Sequence, residues 1–219
     1  MKKALIVWGG WDGHEPDKVA EVFRCQLVTQ GFEVEVSNTL DAYRDIAELA
    51  AVDVIVPVWT MGAIAPEQLN PLLAVVRAGV GIAGCHGGMC DSFRNETEYQ
   101  FMTGGQWVAH PGGDGVHHRV RITDHDHVIT RDIKDFDVCS EQYYLHTDPA
   151  VKVLAATRFP TVDGPHAPNG LFDMPVAWTK YYGRGRVFYC SLGHHADIFD
   201  IPEALEIMTR GLVWAARTG

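Results

Sequence analysis

In the stretch Val80-Gly81-Ile82-Ala83-Gly84-Cys85-His86-Gly87-Gly88 a short apolar run breaks into a histidine set among glycines. An apolar run with no polar interruption is what a strand covered on both faces requires. Gly84, His86 and Gly88 have the G-x-Nuc-x-G spacing of a nucleophile elbow, in which glycines permit a tight strand-to-helix turn. Such elbows carry serine or cysteine at the centre. Here the centre is His86, and Cys85 and Cys90 fall off that position. Spacing alone supports two readings equally: an elbow with an unusual central residue, and a glycine-rich turn with an incidental histidine.

Two more apolar runs lie upstream, Lys3 to Trp8 and Val52 to Trp59. Between them Val19, Val22, Phe23 and Leu27 recur at helical spacing after Pro16, and Phe32 to Val36 alternates as a half-exposed strand does. Leu40 to Ala50 and Pro66 to Ala78 read as further helices. Strands alternating with helices of this length predict a parallel sheet with helices on both faces. Ligands then bind beyond the strand C-termini, so the loops after Trp8, Trp59 and Gly84 are expected to converge.

Downstream, Val116 to Ile122, Phe136 to Leu145, Val151 to Thr157, Pro175 to Tyr182 and Arg186 to Leu192 read as strands. Tyr181 to Arg186 forms the turn between the last two, and a final helix places Leu205, Met208, Leu212 and Ala215 on one face. Neither a repeat nor a linker interrupts the chain. One domain over residues 1–219 with a mixed, extended sheet is expected.

The 219 residues carry a formal net charge of −10 with 47% apolar residues, which supports a core and disfavours nucleic acid as a partner. Gly-x-Gly-x-x-Gly and GxxxxGK[ST] do not occur, so no nucleotide cofactor is expected. No apolar stretch has the length of a membrane span, and the run after Met1-Lys2-Lys3 ends too soon for a signal peptide. The cysteines at 25, 85, 90, 139 and 190 show no paired spacing, which suits a reduced cytoplasmic chain.

Eleven histidines are the compositional outlier. His14 follows the first strand, next to a helix N-terminus that favours anions. In Glu141-Gln142-Tyr143-Tyr144-Leu145-His146, strand alternation puts Glu141 and Tyr143 on one face and His146 on the other, reaching the site only if the strand bends. Of the adjacent pair His194 and His195, His194 beside Gly193 is the better candidate. His117, His118, His125 and His127 lack metal-ligand spacing and read as structural or solvent-facing. His166 is expected to be exposed in the loop Pro160 to Gly170, and His110 suits either role.

These segments together resemble the ThuA-like family of trehalose utilisation proteins. The resemblance rests on Ile6-Val7-Trp8-Gly9-Gly10 with His14-Glu15-Pro16, on Gly84-Cys85-His86-Gly87-Gly88, on Gln106 to Gly113, on Ser140 to His146 with Asp148-Pro149, and on Met174 to Trp178, Gly185 to Tyr189 and Ser191-Leu192-Gly193-His194. It implies a fold of the class I glutamine amidotransferase-like superfamily: a flavodoxin-like α/β three-layer sandwich, its central sheet mostly parallel with added antiparallel strands. His86 then occupies the place of the amidotransferase cysteine, so thiolate-dependent glutamine hydrolysis is not expected.

The resemblance also implies sugar catabolism, with 3-keto-glycosides such as 3-keto-trehalose as substrates. A 3-keto sugar has an acidified C2 proton, whose removal lets the C1 glycosidic oxygen leave. That chemistry needs a base, an oxyanion stabiliser and an acid. His86 is the candidate base or ligand, Glu141 the proton shuttle and Tyr143 the orienting group, with His14, His194 and His146 completing the catalytic set. A divalent metal such as Zn or Mn on His14, His86 and His194 could act as the Lewis acid. Trp11, Trp59 and Trp107 suit stacking on a sugar ring and equally suit a core. The competing readings are a non-catalytic, sugar-responsive binding or regulatory module, and a hydrolase using Cys85 or Cys90. A homo-oligomer stays open.

Overall fold

The structure, a computed structural model, describes residues 1–218. In chain order the elements are β1 (Lys3–Gly10), α1 (Pro16–Thr29), β2 (Glu33–Ser37), α2 (Ile46–Ala51), β3 (Val54–Thr60), α3 (Pro66–Ala78), β4 (Gly81–Cys85), α4 (His86–Cys90), α5 (Thr97–Thr103), β5 (Gly105–Ala109), β6 (Val116–Ile122), β7 (Phe136–Ser140), β8 (Tyr144–Thr147), β9 (Lys152–Phe159), β10 (Phe172–Tyr182), β11 (Gly185–Cys190) and α6 (Pro202–Ala215). Nine strands form one sheet in the order β2-β1-β3-β4-β11-β10-β9-β6-β7. The first five strands of that order are parallel, and the remaining pairings are antiparallel. β5 and β8 form a separate small antiparallel sheet.

The apolar runs set the middle of the sheet. β3 and β4 are buried almost throughout, and Ala4 to Val7 of β1 are buried as well. Helices cover both faces, which keeps this apolar backbone dry. Val19, Phe23 and Leu27 of α1 and Ile207, Met208 and Leu212 of α6 pack on one face. Leu69, Leu72 and Val76 of α3 and Tyr99 and Met102 of α5 pack on the other. β6 and β7 alternate buried and exposed residues, as one-sided antiparallel strands do. The result is the expected flavodoxin-like sandwich with an antiparallel extension beyond β11.

Two expected elements break. Leu40 to Ala50 divides into a 3-10 turn over Leu40–Tyr43 and α2, because Asp45 caps α2 by accepting from the N–H groups of Ala47 and Glu48. Phe136 to Leu145 is not one strand. β7 pairs with β6 in the main sheet, whereas β8 pairs with β5 in the small one, and Glu141 to Tyr143 cross between them. The Gln142 side-chain amide fixes this crossing by donating to Thr157 Oγ1 at 2.8 Å and to the Arg158 carbonyl at 3.1 Å.

From β1 the chain runs outward to β2 and then returns to β3 on the opposite flank. Strand order therefore reverses between β1 and β3, the switch point beyond whose strand ends ligands bind in open α/β sheets. The loops after β1, β3, β4 and β11 meet there. Among the described residues no helix is long and apolar enough to cross a membrane.

Candidate active site

The centre of the site is the turn from β4 into α4. His86 has φ 44°, a left-handed backbone that costs a non-glycine residue about 1–3 kcal/mol. Its neighbours enforce it. A Cβ on Gly84 would lie 2.8 Å from Met89 Cβ and 3.1 Å from the Pro57 carbonyl oxygen, and one on Gly88 would lie 3.0 Å from Val58 Cα. The turn is thus an elbow in geometry, with an imidazole at its tip.

The His86 ring is held on two sides. Nδ1 lies 2.8 Å from the Ser191 carbonyl oxygen, to which it can only donate. That assigns the proton to Nδ1 and leaves the lone pair on Nε2. Tyr143 stacks on the ring with centroids 3.8 Å apart. His86 Nε2 then faces Glu141 Oε2 at 3.2 Å. His194, just past β11, brings Nδ1 to 3.4 Å from the same oxygen, and His110, after β5, brings Nδ1 to 3.3 Å. His14 packs edge-on to His86 and His194, with centroids 4.7 and 5.1 Å away, while its Nδ1 bonds Thr60 Oγ1 at 2.8 Å.

Four of these atoms are buried without a hydrogen-bond partner: His86 Nε2, His110 Nδ1, His194 Nδ1 and Glu141 Oε2. Unpaired buried polar atoms are costly, so a cluster of them aimed at one point calls for a reason. Burial, then the other imidazoles, lowers His14 to about 2. Burial and His86 lower His194 as well. Burial works to raise Glu141, but His86, His194 and His110 together outweigh it and hold the carboxyl below its ordinary value. Burial thus favours the neutral form of His14 and His194, the form in which an imidazole can ligate a cation. His14, His86, Glu141 and His194 each offer one ligand atom, all within 4.8 Å of one another, and this group could hold a metal ion.

The buried, neutral His14 makes stability depend on pH. Its value is depressed from 6.5 in the folded chain, so below pH 6.5 the unfolded chain binds more protons. Stability is thus lost as pH falls, by up to about 1.4 kcal/mol per pH unit. Denaturant midpoints measured from pH 7 to pH 5 are expected to fall, and less steeply in His14→Gln. A profile that is flat, or as steep in the variant, contradicts this.

Of the other expected site residues, Glu141 and Tyr143 reach the cluster and His146 does not. His146 is exposed on β8 opposite Gln106, because the chain leaves the site at Tyr143 instead of continuing as a bent strand. His110 and Asp114 join from a single loop. Asp114 Oδ2 lies 4.0 Å from His194 Nε2 and 3.9 Å from His195 Nε2. Neither residue has a periodic pattern to mark it: His110, which suited either role, stood out in the Gln106 to Gly113 segment of the family resemblance, and Asp114 carried no signal. His166, expected to be exposed, is buried edge-on against Tyr144 and Phe159. His118 is buried with Nδ1 on the Val116 carbonyl, a structural role. Trp11, 47% exposed, stands edge-on to His14, whereas Trp59 and Trp107 are half-buried and pack on the core.

Cys85 and Cys90 are buried, and burial pushes both thiols up, away from a reactive thiolate. Iodoacetamide at neutral pH is expected to label the exposed Cys25 and Cys139 and leave any activity intact. Inactivation that tracks labelling of Cys85 or Cys90 would restore the thiol reading.

Comparison with known proteins bears on both fold and family. A ThuA-like protein from Bacteroides uniformis ATCC 8492 superposes with a TM-score of 0.77 at 16% identity, covering 98% of this chain and 91% of that one. A ThuA-like protein from Parabacteroides merdae ATCC 43184 gives 0.74 at 16% identity, covering 100% and 92%. A cytoplasmic protein from Salmonella typhimurium LT2 gives 0.69 at 14% identity, covering 98% and 100%. A search of curated proteins gives no match. The family model described as "Trehalose utilisation" matches residues 3–215, and the chain belongs to that family, ThuA.

Proposed function

We propose that this chain is a cytoplasmic, divalent-cation-dependent enzyme of sugar catabolism that opens 3-keto-glycosides by eliminating the glycosidic oxygen. The observation that carries the reading is the set of buried, unpartnered donor atoms converging on Glu141 Oε2. His14, His86 and His194 would hold the cation, and three protein ligands leave a position for substrate. A bound divalent cation supplies Lewis-acid polarisation of a carbonyl oxygen.

The remaining steps fall to the chain. Glu141, its carboxyl held below its ordinary value by His86, His194 and His110, takes the C2 proton of the keto sugar. The C2–H electron pair forms the C1–C2 double bond as the C1–O bond breaks, and the departing oxygen keeps that bond's electrons. Glu141 then returns the proton to the oxygen, which leaves as an alcohol. Tyr143, buried and with its phenol pushed well above its ordinary value, stays neutral and fixes the His86 plane by stacking. Trp11 stands at the rim, where an exposed indole can pack on a sugar face.

The test is incubation of zinc- or manganese-loaded protein with 3-keto-trehalose, following glucose release with and without chelator. Release that chelation abolishes supports the proposal. No release with either cation, while the sugar still binds, overturns it in favour of a binding module.

A further inference from the structure

We propose that Thr60 is a positioning residue for the cation: its hydroxyl oxygen accepts from His14 Nδ1, keeps the proton on that nitrogen and so reserves the Nε2 lone pair for the ion. The inference rests on the cation reading above and deepens it, by naming the group that decides which nitrogen of His14 is the donor.

Three observations carry it. First, a neutral imidazole has one N–H and one lone pair, and the partner at one nitrogen sets which is which. His14 Nδ1 lies 2.8 Å from Thr60 Oγ1, in a buried bond between residues 46 apart in sequence. With Nδ1 taken by the hydroxyl, Nε2 is the nitrogen left to ligate. Secondly, the neighbouring His86 is fixed in the same sense. The Ser191 carbonyl oxygen can only accept, so His86 also carries its proton on Nδ1 and its lone pair on Nε2. Two rings with centroids 4.7 Å apart thus each have an oxygen behind Nδ1. Histidines that ligate a metal are held this way, the second N–H given to an oxygen that fixes tautomer and ring orientation.

Thirdly, the backbone presses this pair together. Thr60 ends β3, His14 follows β1, and Gly10 stands in register with Thr60. A Cβ on Gly10 would collide with the Thr60 carbonyl oxygen. One on Gly87 would lie 2.7 Å from His14 Nδ1 and 3.0 Å from Thr60 Cγ2. Both neighbours of the pair therefore have to lack a side chain. Thr60 is 2% exposed, which shelters the bond from water. Valine in its place keeps the shape and the branched Cβ but cannot accept, so a neutral His14 no longer gains by holding its proton on Nδ1.

NMR of 15N-labelled, chelator-treated full-length protein reads the tautomer of His14 from the couplings between its ring nitrogens and ring protons, and a cobalt(II) titration reads affinity. Wild type is expected to show the proton on Nδ1 and to bind cobalt. Thr60→Val is expected to shift the proton to Nε2 and to bind at least about tenfold more weakly. Thr60→Ser, which restores the hydroxyl without the methyl, is expected to return both readings to wild type, which loss of packing alone would not do. A proton on Nε2 in wild type overturns the assignment without any variant. Equal cobalt affinity in wild type and Thr60→Val overturns the role of Thr60 while the cation site stands. If wild type binds no cobalt, the cation reading falls and this inference with it.

Discussion

His86→Ala is expected to lose the cation and to lower turnover of a 3-keto-glycoside by about 10³-fold, the rate equivalent of the several kcal/mol of Lewis-acid stabilisation that a bound cation would supply. The imidazole is the hub of the cluster. It approaches Glu141 most closely, touches His14 and His194 edge-on, and carries the stacked Tyr143 ring. Alanine removes the Nε2 donor and the bond to the Ser191 carbonyl together. It also keeps a Cβ residue in a left-handed backbone without the contacts that hold it there. His86→Asn, a residue that tolerates this conformation, separates the two effects: stability recovers, but cation and turnover do not. Metal content of the purified variants and glucose release from 3-keto-trehalose are the measurements. Wild-type turnover by either variant rules out His86 as a functional group.

Glu141→Gln is expected to give the complementary result, with cation retained and turnover down about 10²- to 10⁴-fold. Glutamine keeps the shape that fits between His86, His110 and His194 but cannot accept and return a proton. Three imidazoles remain to hold the ion. The pair of variants therefore divides the site: one position governs cation and chemistry, the other chemistry alone. Glu141→Gln with normal turnover would take the proton-transfer role away from this residue.

Much of this was legible in the sequence, for a physical reason. β1, β3 and β4 are covered on both faces, so burial writes them as continuous apolar runs, and the turns that follow carry His14 and His86. The elbow was visible because close approach to Met89 and Val58 admits only glycine at 84 and 88. The break after Ser140 was not visible. No glycine or proline interrupts Phe136 to His146, so the sequence carries no break signal where the pairing partner changes from β6 to β5, a matter of distant contacts. His146 was misplaced for that reason. His110 and Asp114 sit in a loop with no period to read. His166 lies in a stretch whose composition says loop but cannot name the aromatic rings of Tyr144 and Phe159 that close over it.

The left-handed turn at His86 rests on close glycine contacts below the site, with Pro57, Val58 and Met89, and is tied by the Ser191 carbonyl that accepts from the ring and the Tyr189 hydroxyl that donates to the His86 carbonyl. The sheet-borne imidazoles are therefore in place as soon as the chain has folded. An arriving ion or sugar meets a preorganised surface, so little conformational entropy is lost on association.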